Sequence, residues 1–130
     1  MKRLLAIGFA LVMGGVSAQA DEPPQWMQQV FADHELQAAW EEYQTVYDDE
    51  NAALDPRTKH LIALAVSAQV PCEYCVLGHT MGAEAGGASE QEMKEAVAVA
   101  AQVRKLSTML NGLHYDMDEF RAEIGAPASN

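Results

Sequence analysis

The chain places its only two cysteines at Cys72-Glu73-Tyr74-Cys75 and follows them with His79. Positions three and seven residues beyond Cys72 fall within roughly a 60° arc of a helix, so both thiols and the imidazole occupy one helical face. Two such thiols can cycle between dithiol and disulfide, or as thiolates can hold a thiophilic metal. The imidazole would carry a proton in the first case and complete a ligand set in the second. A bridge across two intervening residues restricts the unfolded chain little, which makes structural stapling a weak motive for it. A covalent c-type haem needs histidine directly after the second cysteine, and Val76 stands there instead.

The elements that must position this group read as helices throughout. Trp26, Val30, Phe31, Ala38, Trp40, Tyr43 and Tyr47 recur at three- and four-residue steps, predicting a long amphipathic helix with a break near Asp33, closed by Asp48-Asp49-Glu50-Asn51. Its tryptophans are read as core or subunit-contact residues. Asp55-Pro56 predicts an N-cap and first helical residue for a largely buried second helix through Leu61, Ile62, Leu64, Ala65 and Ala68. Pro71 is expected to open a third helix, whose first turns would hold Cys72 and Cys75 near the positive end of the helix dipole. Gly82, Gly86 and Gly87 are expected to loosen and end it. Ser89 with Glu92 forms a capping-box pattern for a fourth helix, with Ala96, Val97, Ala100, Val103, Leu106 and Leu110 as its apolar stripe. Asn111-Gly112 closes that helix, and Leu113 to Ile124 predicts a short terminal one. Met81, Met93, Met109 and Met117 are expected in the core, His34 and His114 at the surface or in packing.

Residues 1–20 read as a secretory leader: Lys2 and Arg3, an apolar run from Leu4 to Val12, and Ala18-Gln19-Ala20 as a cleavage site, with the mature chain expected to begin at Asp21. The expectation is a periplasmic or secreted protein with no membrane association after cleavage. Residues 21–54 then form an N-terminal helical segment of the same domain as a core over 55–125, and 126–130 a tail. Without Lys2 and Arg3, six cationic residues face nineteen carboxylates, a formal charge of −13 that repels nucleic acid and anionic lipid. Export also lets a disulfide persist.

From Leu54 to Leu110 the sequence resembles the carboxymuconolactone decarboxylase and alkyl hydroperoxidase D superfamily. The resemblance is carried by Asp55-Pro56-Arg57-Thr58-Lys59, Leu61-Ile62-Ala63-Leu64-Ala65-Val66, the cysteine pair, His79 and the stretch from Gly87 to Glu92. It implies an all-α helical bundle that assembles as a homotrimer or homohexamer. It further implies a peroxidase-type site with Cys75 as peroxidatic thiol, Cys72 as its resolving partner and His79 as a proton-transfer residue. A small hydroperoxide or disulfide would be the substrate, and a thiol reductant would reopen the bridge.

Two positions depart from that pattern. The family's peroxidase motif carries a glutamate twelve positions before the first cysteine, where this chain has His60, and some members carry a histidine where this chain has Tyr74. His60 can act as a base nearer neutrality, but cannot supply a permanent anion. With it, His60, Cys72, Cys75 and His79 also make a Cys2His2 set suited to zinc or another thiophilic metal, the alternative to a site without cofactor. The sequence therefore predicts an exported thiol oxidoreductase. A metal-binding or non-catalytic member of the fold is one alternative, and a lactone-acting decarboxylase, whose relatives generally lack the cysteine pair, is the other.

Overall fold

The structure, a computed structural model, describes residues 22–49 and 51–127. The leader at 1–20, the expected start at Asp21, Glu50 and the end of the tail lie outside the described residues. Six helices and no strand occur among those described: α1 (Gln25–Val30), α2 (Asp33–Tyr47), α3 (Pro56–Gln69), α4 (Glu73–Ala85), α5 (Glu90–Gly112) and α6 (Met117–Glu123). None is long and apolar enough to cross a membrane. The chain divides into two compact units, Met1–Glu42 and Tyr43–Asn130. The first holds α1 and most of α2, separated by the break expected near Asp33. The second holds the end of α2 and everything after it.

Local chemistry accounts for the helix starts in the second unit. Asp55 caps α3 by accepting from the Thr58 amide, and Pro56 occupies a first position where its missing N–H costs nothing. Ser89 and Glu92 form the reciprocal capping box of α5, and Glu92 also pairs with the Arg57 guanidinium, tying the starts of α3 and α5 together. These bonds hold the Glu92 carboxyl below its ordinary pKa, led by the Ser89 amide. At the other end of α3, Gln69 Nε2 donates to the Ala100 carbonyl at 2.6 Å and Arg104 Nε to Gln69 Oε1 at 2.6 Å. Thus α3 packs against both α4 and α5. Gly87, at φ 84°, supplies the left-handed residue that turns the chain between α4 and α5.

Three expectations change. α4 begins at Glu73 rather than Pro71, because Cys72 itself takes the N-cap position. The terminal helix begins at Met117, not Leu113, because Asp116 caps it by accepting from the Asp118 and Glu119 amides. Burial is also much thinner than the apolar pattern implies. Among the described residues of the second unit, only Leu64, Ser67, Ala83 and Ala100 are buried, while Ile62 and Val66 of α3, and Val97, Val103 and Leu106 of the α5 stripe, are exposed. Met81, Met109 and Met117 are exposed as well, so they are not core fillers of a single chain. A 23-residue helix such as α5 has one face on α3, and a single neighbour cannot cover the rest of its stripe. Trp26 is likewise exposed, and His34 lies at the surface as expected.

Candidate active site

Cys72 and Cys75 are joined as a disulfide at the start of α4. As N-cap residue, Cys72 accepts the Cys75 backbone N–H on its Sγ at 3.2 Å, in the place a serine or aspartate oxygen usually takes. That donor and the positive helix end favour negative charge on the Cys72 sulfur once the bond is reduced. His79 follows Cys75 by one helical turn and so stands over it on the same face. Cys72, Cys75 and His79 line a common open cleft of about 420 Å³, closed on its other sides by Val46 and Tyr47 from the end of α2, Leu54, and one face of α3.

His60 is not part of that lining. It stands behind His79, with Nδ1 to Nδ1 at 3.1 Å, and its ring lies almost parallel to Tyr47, centroids 5.0 Å apart and planes 10° apart. The Tyr47 hydroxyl lies 3.5 Å from His79 Nε2, the outer limit of a hydrogen bond. Both nitrogens of His79 are therefore engaged. If Tyr47 donates to Nε2, the Nδ1–H of His79 donates to His60; if His60 donates to Nδ1, the Nε2–H faces the tyrosine oxygen. Passing from one to the other moves a proton along Tyr47, His79 and His60 with all three neutral only if one proton enters at the Tyr47 oxygen as another leaves His60 Nε2. Burial lowers the pKa of His79 from its ordinary 6.5, and a positive His60 would lower it further. Burial lowers that of His60 too, against a smaller opposite pull from Asp48. Both shifts favour the uncharged imidazoles.

The four residues named from sequence thus come together, but in two layers: three at the cleft and His60 supporting one of them. Among the described residues no cluster of three or more histidine, cysteine or carboxylate side chains is arranged to hold a metal ion. Two contributors escape a reading of helical spacing. Tyr47 looks like one more apolar position of α2, yet touches both imidazoles. Gly82 looks like a helix loosener, yet lies within α4 and makes room for His60: a Cβ there would stand 2.5 Å from the His60 ring. Its only sequence signal is a glycine one turn after the histidine of the motif.

This close approach gives a direct test. Gly82→Ala should lower stability by about 1 kcal/mol, because overpacking against the ring exceeds the helix-propensity gain of alanine. In a His60→Ala background the same substitution should instead stabilise by about 1 kcal/mol, since the obstacle is gone. Denaturant melts of the four proteins check this, and a Gly82→Ala effect of equal sign in both backgrounds would contradict the packing described.

Comparison with known proteins places the chain in a family and a fold. A protein in the cox locus of Paracoccus denitrificans, itself uncharacterised, is 46% identical over 54 residues, which are 42% of this chain and 49% of that protein. The crystal structure of the alkylhydroperoxidase AhpD core from Rhodospirillum rubrum superposes with a TM-score of 0.59 at 33% identity, covering 65% of this chain and 61% of that one. The chain thus spans about half to three-fifths of the length of these relatives. The sequence profile of the carboxymuconolactone decarboxylase family matches residues 34–115, the stretch that holds Tyr47, His60, both cysteines and His79. With its all-helical fold, this chain belongs to the carboxymuconolactone decarboxylase family and has the AhpD-like architecture.

Proposed function

We propose that the protein is an exported thiol oxidoreductase that reduces hydroperoxides through Cys75 and Cys72. The observation that carries this reading is the disulfide and His79 lining one cleft, with a second imidazole behind the first. In the reduced protein the His79 Nε2, which Tyr47 holds only at 3.5 Å, gives up that contact to take the Cys75 thiol proton, and the thiolate attacks the terminal oxygen of R–O–OH. The O–O bond breaks, Cys75 becomes a sulfenic acid, and the alkoxide leaves as R–OH with the proton returned from His79. Cys72, its thiolate favoured by the Cys75 amide, attacks the sulfenic sulfur and releases water, giving the disulfide. An external dithiol reductant then returns two electrons and two protons through exchange at the same pair. The family also contains decarboxylases, but that chemistry has no use for paired thiols.

Steady-state hydroperoxide consumption in the presence of a dithiol reductant tests the reading. Turnover that requires both peroxide and dithiol is expected, and peroxide consumption no faster than with the reductant alone would refute it.

The exposed apolar residues of α4 and α5 support self-association, since faces of this extent are ordinarily covered in water. A homotrimer or homohexamer is expected by light scattering, and a monomer at micromolar concentration would contradict that part of the proposal.

A further inference from the structure

Lys59 lines the same cleft, and its Nζ is shielded from solvent with no hydrogen-bond partner among the described residues. The chain has more than twice as many carboxylates as cationic side chains, so the missing partner does not reflect a shortage of acids. Two other cations of the second unit do find carboxylates, Arg57 with Glu92 and Lys94 with Glu90, whereas Arg121 Nε, outside the cleft, shares the lack of a partner. An unpaired ammonium out of water costs several kcal/mol unless an anion joins it. The α3 face that continues from it is apolar. Lys59, Ile62, Ala63 and Val66 follow at three- and four-residue steps along one face of α3, and Ile62 and Val66 are exposed there.

The direction of the cleft fixes the shape of an occupant. His60 meets His79 and packs on Gly82, so α4 runs back alongside α3, and Cys75 precedes His79 by a turn. Lys59 therefore lies one to two turns, on the order of 10 Å, along the cleft from the cysteines. We propose that the cleft binds an aliphatic carboxylate that draws the shielded Lys59 ammonium out to meet it, its chain lying along Ile62, Ala63 and Val66 toward the disulfide. A volume of about 420 Å³ suits a medium-length chain. Resting on the peroxide-reducing reading above, the substrate class is a hydroperoxide of such an acid, the O–O bond being delivered to Cys75 by the distance between head group and thiol.

Octanoate and 1-octanol, titrated into the disulfide form of the intact protein and followed by NMR shift changes, test the site without any turnover. The wild type should bind octanoate about tenfold more tightly than octanol, the worth of one charge-assisted pair. Lys59→Met should lose that preference and Lys59→Arg should keep it. Lys59→Met should also melt no lower than wild type, because it replaces an unpaired ammonium with an apolar side chain of similar length. Equal octanoate affinity in wild type and Lys59→Met, or no preference for octanoate over octanol in the wild type, overturns the site. Since binding here needs no thiol, failure of the peroxide assay with the carboxylate preference intact would remove the reaction and leave the site standing.

Discussion

Cys75→Ser is expected to abolish dithiol-dependent hydroperoxide reduction, by at least about a thousandfold, while leaving the fold intact. Serine is nearly isosteric, and Cys75 contributes an amide to the N-cap through its backbone, which the substitution keeps. The hydroxyl, however, is not ionised at neutral pH and attacks a peroxide oxygen far more slowly than a thiolate. Cys72→Ser is expected to behave differently. Its hydroxyl can still cap α4, and Cys75 can still react once with peroxide, but the sulfenic acid then has no partner and turnover stops after a single event. Rapid-quench peroxide consumption separates the two: no fast phase in Cys75→Ser, and one equivalent without turnover in Cys72→Ser. A fast phase that survives in Cys75→Ser would exchange the two assignments.

Replacing His79 carries the second large effect. His79→Ala should lower the rate of Cys75 oxidation by about a hundredfold or more, the usual worth of a positioned base. The pH profile makes the prediction specific to its chemistry. Burial, with the effect of His60 second, keeps the His79 pKa below 6.5, so the free base is present at neutral pH. As pH falls through that lowered pKa the imidazole fills with its own proton and cannot accept one from Cys75, and the rate declines on an acid limb below 6.5. In His60→Ala both causes weaken, since the neighbouring charge is gone and water gains access. The limb should therefore move to higher pH. A limb that stays in place would show that His60 does not act on His79, and an unchanged rate in His79→Ala would remove the residue from the mechanism.

The contrast between His60 and the carboxylate of the resembling family has a physical consequence. A glutamate behind the histidine would hold an imidazolium by charge, whereas His60 can offer only a hydrogen bond at 3.1 Å and cannot share a second positive charge. A proton that His79 takes up therefore has a hydrogen-bond acceptor behind it but no counter-charge.

What was legible in the sequence follows the range of the interactions concerned. The caps at Asp55 and Ser89 are written in residues three apart, and both form as expected. Cys72, Cys75 and His79 lie on one helix, so their shared face follows from spacing alone. The roles of Tyr47, Gly82 and Lys59 depend on where the end of α2 and α4 settle against α3, which no local pattern specifies. The start of α4 differs from the expected one for a related reason: proline normally opens a helix, but here the cysteine after it caps one. The apolar stripe of α5 is legible as a face to be covered, but periodicity does not say whether this chain covers it.

The central claim is that Cys75 takes oxygen from a peroxide and Cys72 resolves it. Fully reduced wild type and Cys72→Ser, each treated with one equivalent of hydroperoxide and examined by intact mass and peptide mapping with a sulfenic-acid trap, test it most directly. The wild type should lose two thiols with no added oxygen and yield the Cys72–Cys75 bridge, and Cys72→Ser should gain one oxygen, trapped at Cys75. Thiols that survive peroxide unchanged, or a trap found on Cys72 of Cys75→Ser at the wild-type rate, would contradict the account.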